Sequence, residues 1–246
     1  MKKIYIVLIL TLIMFSVGFA QDKNCPKGHC LKGDVGYLNF AIGPSIPLGD
    51  FGSQDVDKKS SGFAESGYKI EVNGGYRLRP NFDLSAKCFY SIYSYDVTGL
   101  MNRLRDMNTG TKWKSNGRSW DMVGVMAGIL YERPLMKKFT ANTKILIGIV
   151  KSSTPDLVLN ETDGAIYKDY GKSATSFAYM LSVGGIYPIG RLIDVVGNLE
   201  YTFTKPSFNN VSTKFDSNGN VVEKNSYSTD QNITLLAFNF GVRVKF

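Results

Sequence analysis

The sequence is short of the groups on which most enzymes rely. Its 246 residues include one histidine, His29, and three cysteines, Cys25, Cys30 and Cys88. A single imidazole near the start of the chain leaves little for histidine general-base chemistry. No catalytic residue, metal site or cofactor is therefore expected. After residue 20 no stretch is apolar for long enough to cross a bilayer as a helix. Any later membrane span must be built from strands, whose backbone groups can be satisfied only if the sheet closes.

What is present begins with an export signal. Lys2 and Lys3 precede an apolar run from Ile4 to Phe19, and Gly18-Phe19-Ala20 supplies small residues where a signal peptidase cuts. The run is short for a retained membrane anchor. We expect cleavage after Ala20, a periplasmic N-terminal tail over 21–33 and one domain over 34–246. No cysteine stands at the cut, so lipid attachment there is not expected. The formal net charge of +8 falls to about +6 once Lys2 and Lys3 are removed. An exported basic chain rarely meets nucleic acid, so none is assigned as a partner.

Alternation of period two recurs along the rest of the chain. Leu38, Phe40, Ile42, Pro44 and Ile46 oppose Asn39, Ala41, Gly43 and Ser45. Tyr68, Ile70, Val72, Gly74, Tyr76 and Leu78 oppose Lys69, Glu71, Asn73, Gly75, Arg77 and Arg79. Phe82 to Ile92 repeats the pattern. Further strands are predicted at about 120–133, 139–151, 175–189, 194–205 and 230–246, the first of these with poor alternation and no assigned facing. That makes eight strands, each long enough to span a membrane when tilted. Tight turns at Arg79-Pro80-Asn81, Pro134-Leu135-Met136 and Gly190-Arg191-Leu192 alternate with long polar connections near 48–64, 96–119, 152–174 and 206–229. Short turns on one side and long loops on the other are the pattern of outer-membrane barrels, and a soluble sandwich has no reason to sort them. The fold class predicted is all-β, an antiparallel up-and-down transmembrane β-barrel of eight strands with short periplasmic turns and long extracellular loops.

The final residues sharpen this. Leu236, Phe238, Phe240, Val242, Val244 and Phe246 alternate with small or polar residues, and Phe246 is aromatic. This stretch resembles the terminal strand of outer-membrane barrels, and Gly43-Pro44-Ser45-Ile46-Pro47-Leu48-Gly49-Asp50-Phe51 is similar to the first strand and rim of the small outer-membrane barrel domain family, the OmpA and OmpX type. The resemblance implies location in the outer membrane among its lipids, and an assembly signal at Phe238, Phe240, Val242, Val244 and Phe246 read by the barrel-assembly machinery. It says almost nothing about activity.

An eight-stranded barrel has an interior just wide enough for side chains to fill. The inward set includes the charges Lys69, Glu71, Arg77, Asp83, Lys87, Lys144, Glu200 and Arg243. Buried charges are costly unless paired, so a connected network is expected. A turn centred on Pro80 places Arg77 opposite Asp83, and Asn73 opposite Lys87 with Glu71 one diagonal step away.

Three other features invite a role. Cys25 and Cys30 bracket His29 in a compact motif: a disulfide, idle thiols and a metal or redox site are all open, although the last lacks a fourth ligand. Cys88 falls on the lipid face. The second long loop carries Arg103, Arg105, Lys112, Trp113, Lys114 and Arg118, a set suited to lipopolysaccharide phosphates and equally to an ordinary solvated loop. The third and fourth loops read as hairpins around Thr162-Asp163-Gly164 and Asp216 to Asn220, whose strand edges could capture a protein partner. The function expected is a non-enzymatic structural or surface-interaction barrel. A narrow gated pore for small solutes or ions, and an accessory barrel of a secretion or assembly complex, are the rivals.

Overall fold

The computed structural model describes residues 35–55, 58, 60–107, 114–115, 119–136, 138–160, 166–215 and 221–246. The expected signal and tail lie outside these residues, with Cys25 and Cys30. Eight long strands close into one antiparallel barrel. They are β1 (Gly36–Leu48), β2 (Ala64–Arg79), β3 (Phe82–Tyr95), β5 (Trp120–Met136), β6 (Phe139–Ser153), β9 (Ser173–Pro188), β10 (Ile193–Thr204) and β13 (Ile233–Lys245). Each pairs with its neighbour in the chain's up-and-down order, and β1 closes on β13. Closure leaves the barrel without the free edge that lipid could not satisfy.

The connections between β2 and β3, β5 and β6, and β9 and β10 are tight and lie together at one end, the turn end. The long connections emerge at the other, the loop end. Among the described residues they carry one helix, α1 (Val97–Met107), and five short strands: β4 (Lys114–Ser115), β7 (Leu157–Asn160), β8 (Ile166–Tyr170), β11 (Ser207–Phe215) and β12 (Val221–Asp230). The two expected hairpins are present as β7–β8 and β11–β12.

The pleat sorts the side chains as the alternation predicts. Phe40, Ile42, Tyr68, Ile70, Leu84, Ile147, Tyr179, Leu181 and Phe240 are exposed on the outside, as is Cys88. Their partners in alternation point inward and are buried. The segment without an assigned facing, β5, turns Trp120, Met122, Met126 and Leu130 into the lumen and Val123, Val125 and Ile129 outward. Both of its faces are apolar, which is why its alternation is weak. This strand also runs three residues past the expected end. Its ladder with β6 shifts between Pro134 and Met136, where proline has no N–H to give.

The five short strands form a second sheet in the order β12-β11-β8-β7-β4. It is the barrel wall prolonged. Asp121 faces Ser153 in β5–β6; seven residues further from the membrane on each strand, Lys114 faces Asn160 in β4–β7. Ser153 faces Ser173 in β6–β9, and four residues further Leu157 faces Asp169 in β7–β8. Thr204 faces Ile233 in β10–β13, and three residues further Ser207 faces Asp230 in β11–β12. The β9–β10 ladder, by contrast, slips by one residue on the way up, from Ala178 against Thr204 to Tyr170 against Val211. The register that the tight turns impose is thus carried beyond the barrel.

The β1–β2–β3 side is not prolonged among the described residues. There the connection between β1 and β2 folds back over the lumen. Its entry uses Gly49 at φ 58° and its exit Phe63 at φ 49°, the second a left-handed conformation that costs a bulky residue roughly 1–3 kcal/mol. Backbone bonds from Gly62 N to Asp50 O (2.9 Å) and Ala64 N to Phe51 O (3.1 Å) hold the fold-back in place.

Candidate functional site

The lumen is stratified. At the loop end it is apolar: Tyr93, Met122, Met126, Leu146, Val150, Met180, Ile233 and Leu235 form one buried cluster. Phe51, at the tip of the fold-back, is driven into its top. The Phe51 ring meets Tyr93 edge-on at 5.6 Å and Trp120 at 5.2 Å, and Trp120 in turn meets Phe208 of β11 at 5.8 Å. Such pairs add about 0.5–1.5 kcal/mol each beyond their burial. The Trp120 indole N–H donates to Gly62 O at 3.0 Å. At the rim, Asn232 Nδ2 and Lys58 Nζ both donate to Asp50. These bonds from Lys58 and Asn232 hold the Asp50 carboxyl below its ordinary value of 3.8.

The middle of the lumen is charged. Lys69 Nζ donates to Glu200 Oε2 at 2.7 Å and lies 3.6 Å from Glu71. Lys87 Nζ donates to Glu71 Oε2 at 2.8 Å and to Glu200 Oε1. Asn239 Nδ2 reaches both carboxylates, at 3.0 and 2.9 Å. Two cations and two carboxylates from three strands therefore cross-link the bore, and all four are buried.

A second charged layer sits at the turn end. Arg77 Nε donates to Asp83 at 3.3 Å and its Nη2 to Glu132 at 3.4 Å. Arg243 bonds Glu132, stacks 3.9 Å over the Tyr37 ring and lies 3.9 Å from Asp194, which Lys245 also meets at 3.0 Å. Tyr37 OH donates to Asn73 at 3.2 Å.

The register read from Pro80 is the observed one, with Arg77 opposite Asp83 and Asn73 opposite Lys87. The structure brings Lys69, Glu71, Lys87 and Glu200 into one cluster and Arg77, Asp83 and Arg243 into the other. Lys144 corrects the expectation: it is buried in the lumen but, among the described residues, makes no hydrogen bond and no ion pair. It comes from β6, with Ser182 opposite it on β9, one strand short of Glu200. Glu132 and Asp194 stand outside the expected set. Glu132 lies on β5, whose faces the alternation does not distinguish, and Asp194 sits at the start of a strand, where parity has the fewest neighbours to fix it.

The basic second loop is partly helical, which its composition does not suggest. Leu100, Met101, Leu104 and Met107 recur at helical spacing, and Asp96 Oδ1 accepts from Gly99 N at 2.8 Å in the manner of an N-cap. Arg103 and Arg105 lie on α1 and Lys114 on β4; Lys112, Trp113 and Arg118 fall outside the described residues. Phe238, Phe240, Val242, Val244 and Phe246 share the outer face of the last strand, and Phe246 closes the barrel through bonds from Val35 N and Gly36 N to its carbonyl.

The sequence matches no protein-family model and none of the curated proteins. The fold matches solved structures. A major outer membrane protein from Thermus thermophilus is 13% identical with a TM-score of 0.50, over 86% of this chain and 99% of that one. Neisserial surface protein A is 14% identical at a TM-score of 0.47, covering 86% and 97%. Ail, the attachment invasion locus protein of Yersinia pestis, is 11% identical at 0.44, covering 85% and 99%. The architecture and lipid-facing exterior are those of a small bacterial outer-membrane β-barrel.

Proposed function

We propose that this chain is a non-enzymatic outer-membrane barrel that works as a sealed anchor for a surface-interaction sheet. One observation carries the reading: the bore is blocked by side chains in three successive layers, while the wall above the membrane is extended and ends on a strand edge unpaired among the described residues. The short turns face the periplasm and the prolonged wall faces outward. Its last strand, β12, offers ten residues of edge, with Val221 and Val222 exposed along it. An exposed edge of that length is suited to capturing an extended segment of a protein partner. The opposite edge strand, β4, carries Lys114, and the basic composition of the second loop suits lipopolysaccharide phosphates. Residues 1–20 serve as the export signal in this reading, 21–33 as a periplasmic tail, and the last strand's aromatic face as the signal to the assembly machinery.

The test has two arms. Single-channel recording of the refolded barrel in planar bilayers, with Glu71→Ala alongside, is expected to be silent for both. Steady conductance altered by the substitution would move the protein to the transport class. Lipopolysaccharide binding is expected to weaken at least tenfold when Arg103, Arg105, Lys112, Lys114 and Arg118 are reversed to glutamate. Unchanged affinity would leave an ordinary solvated loop and assign the surface role to the β12 edge alone.

A further inference from the structure

The charges that line the lumen do not cancel. Lys69 and Lys87 match Glu71 and Glu200, and Arg77, Arg243 and Lys245 match Asp83, Glu132 and Asp194. Lys144 is left over, 3% exposed and without a hydrogen bond or ion pair among the described residues. The carboxylates whose charge reaches it, Glu71 and Glu200, are already paired with Lys87 and Lys69, and a buried ammonium without an ion pair of its own is costly.

Lys144 does not stand alone. It lines a small space of about 10 Å³ with Asn39, Asn142, Glu132, Arg243 and Tyr37, between the middle and turn-end layers. Around that space several buried polar atoms lack any hydrogen-bond partner: both side-chain atoms of Asn142, Oδ1 of Asn39 and Nε of Arg243. Buried polar groups are nearly always satisfied, so a cluster of orphans around one cavity points to an occupant. The Glu132 oxygens are already engaged by Arg77 and Arg243. The donors Lys144 Nζ, Asn142 Nδ2 and Arg243 Nε remain. A water would satisfy some of these atoms and leave the charge uncompensated. A monatomic anion satisfies the donors and the charge together, while the Asn39 and Asn142 oxygens, being acceptors, gain nothing from it; the volume admits about one water-sized species, which excludes phosphate or a carboxylate metabolite.

The approach favours the same sign. The aromatic cap shuts the loop end, so access is from the turn end, where the Arg77 side chain is still 26% exposed. Outside it, Arg79 ends β2, Arg133 lies near the end of β5, and Lys138 and Arg191 sit on tight turns; all four are exposed, and among the described residues the three tight turns carry no exposed carboxylate. A rim of one sign raises the local concentration of the opposite ion. We propose that the cavity beside Lys144 is a site for one halide-sized anion, held by Lys144, Asn142 and Arg243 and filled from the periplasmic side.

The test is bromide-edge anomalous diffraction from the refolded barrel crystallised in sodium bromide. One peak is expected between Lys144, Asn142 and Arg243, lost in Lys144→Met and at least halved in Asn142→Leu. The second variant keeps the lysine and serves alone if the first fails to fold. In parallel, the urea midpoint of the barrel in vesicles should be higher in chloride than in gluconate at equal ionic strength, a difference absent from Lys144→Met. Water alone at the site, peaks confined to the rim arginines, or a bromide peak that survives Lys144→Met would overturn the assignment.

Discussion

The two sides of the rim solve the same problem in opposite ways. On the β5–β6–β9–β10–β13 side the ladders run on past the membrane and the wall stands tall. On the β1–β2–β3 side the wall stops, and the freed segment turns inward to cap the bore with Phe51. One side is held by main-chain pairing in an inherited register, the other by aromatic packing, a strained Phe63 and a rim ion pair. The contrast teaches that a barrel's loops can be either more barrel or its lid. Phe208 shows the two meeting, since this residue of the tall side packs on Trp120 beneath the lid.

The largest effect is expected where both sides share a foundation. Glu200→Ala removes the carboxylate that Lys69, Lys87 and Asn239 all use, and should cost about 3–5 kcal/mol in urea unfolding from vesicles, because stranding a buried charge is far worse than never having the pair. A loss under about 1 kcal/mol would mean that the cluster is already wet. Next comes Trp120→Ala, which takes the partner from both Phe51 and Phe208 and should cost roughly 3 kcal/mol or more. It should release the fold-back to protease while the barrel stays silent in bilayers, since the charged layers below still block it. A third change separates the sides. Thr213→Pro deletes a donor in the middle of β11, between β8 and β12. Amide exchange should speed up in β8, β11 and β12 and stay unchanged in β1, β2 and β3; equal acceleration everywhere would show that the sides are not independent.

Acid should give the smallest and most local change. Because Asp50 titrates below its ordinary value, its bonds from Lys58 and Asn232 contribute above that value and are lost as pH falls through the lowered one. Trp120 fluorescence should therefore shift only below about pH 4, where the fold-back loosens. A shift near neutral pH would implicate a different group.

Much of this is legible in the sequence because a strand's parity is a local property. Lys69, Glu71, Arg77 and Lys87 follow from alternation and one turn centred on Pro80. Glu132 and Lys144 show where that logic stops. Parity places Lys144 in the lumen but cannot say which carboxylate reaches it, and β5 with Met122 and Val123 both apolar gives no parity at all. The descent of Phe51 and the slip between β8 and β11 depend on contacts between segments far apart in the chain, which period-two patterning does not encode. α1 is hidden for another reason: its charges mask the apolar spacing of Leu100, Leu104 and Met107.

The inherited register has one more consequence, for how such a surface can change over time. A wall that keeps the barrel's phase is ruled in pairs. Adding two residues to each arm of a hairpin raises it by about 7 Å and leaves every side chain facing as before. A single inserted residue in one arm inverts everything above it, turning the inner face outward. Length can therefore drift in even steps without disturbing the lid, while odd steps must be absorbed by a slip such as the one between β8 and β11. The outer rim is a place where reach is free to vary and facing is not.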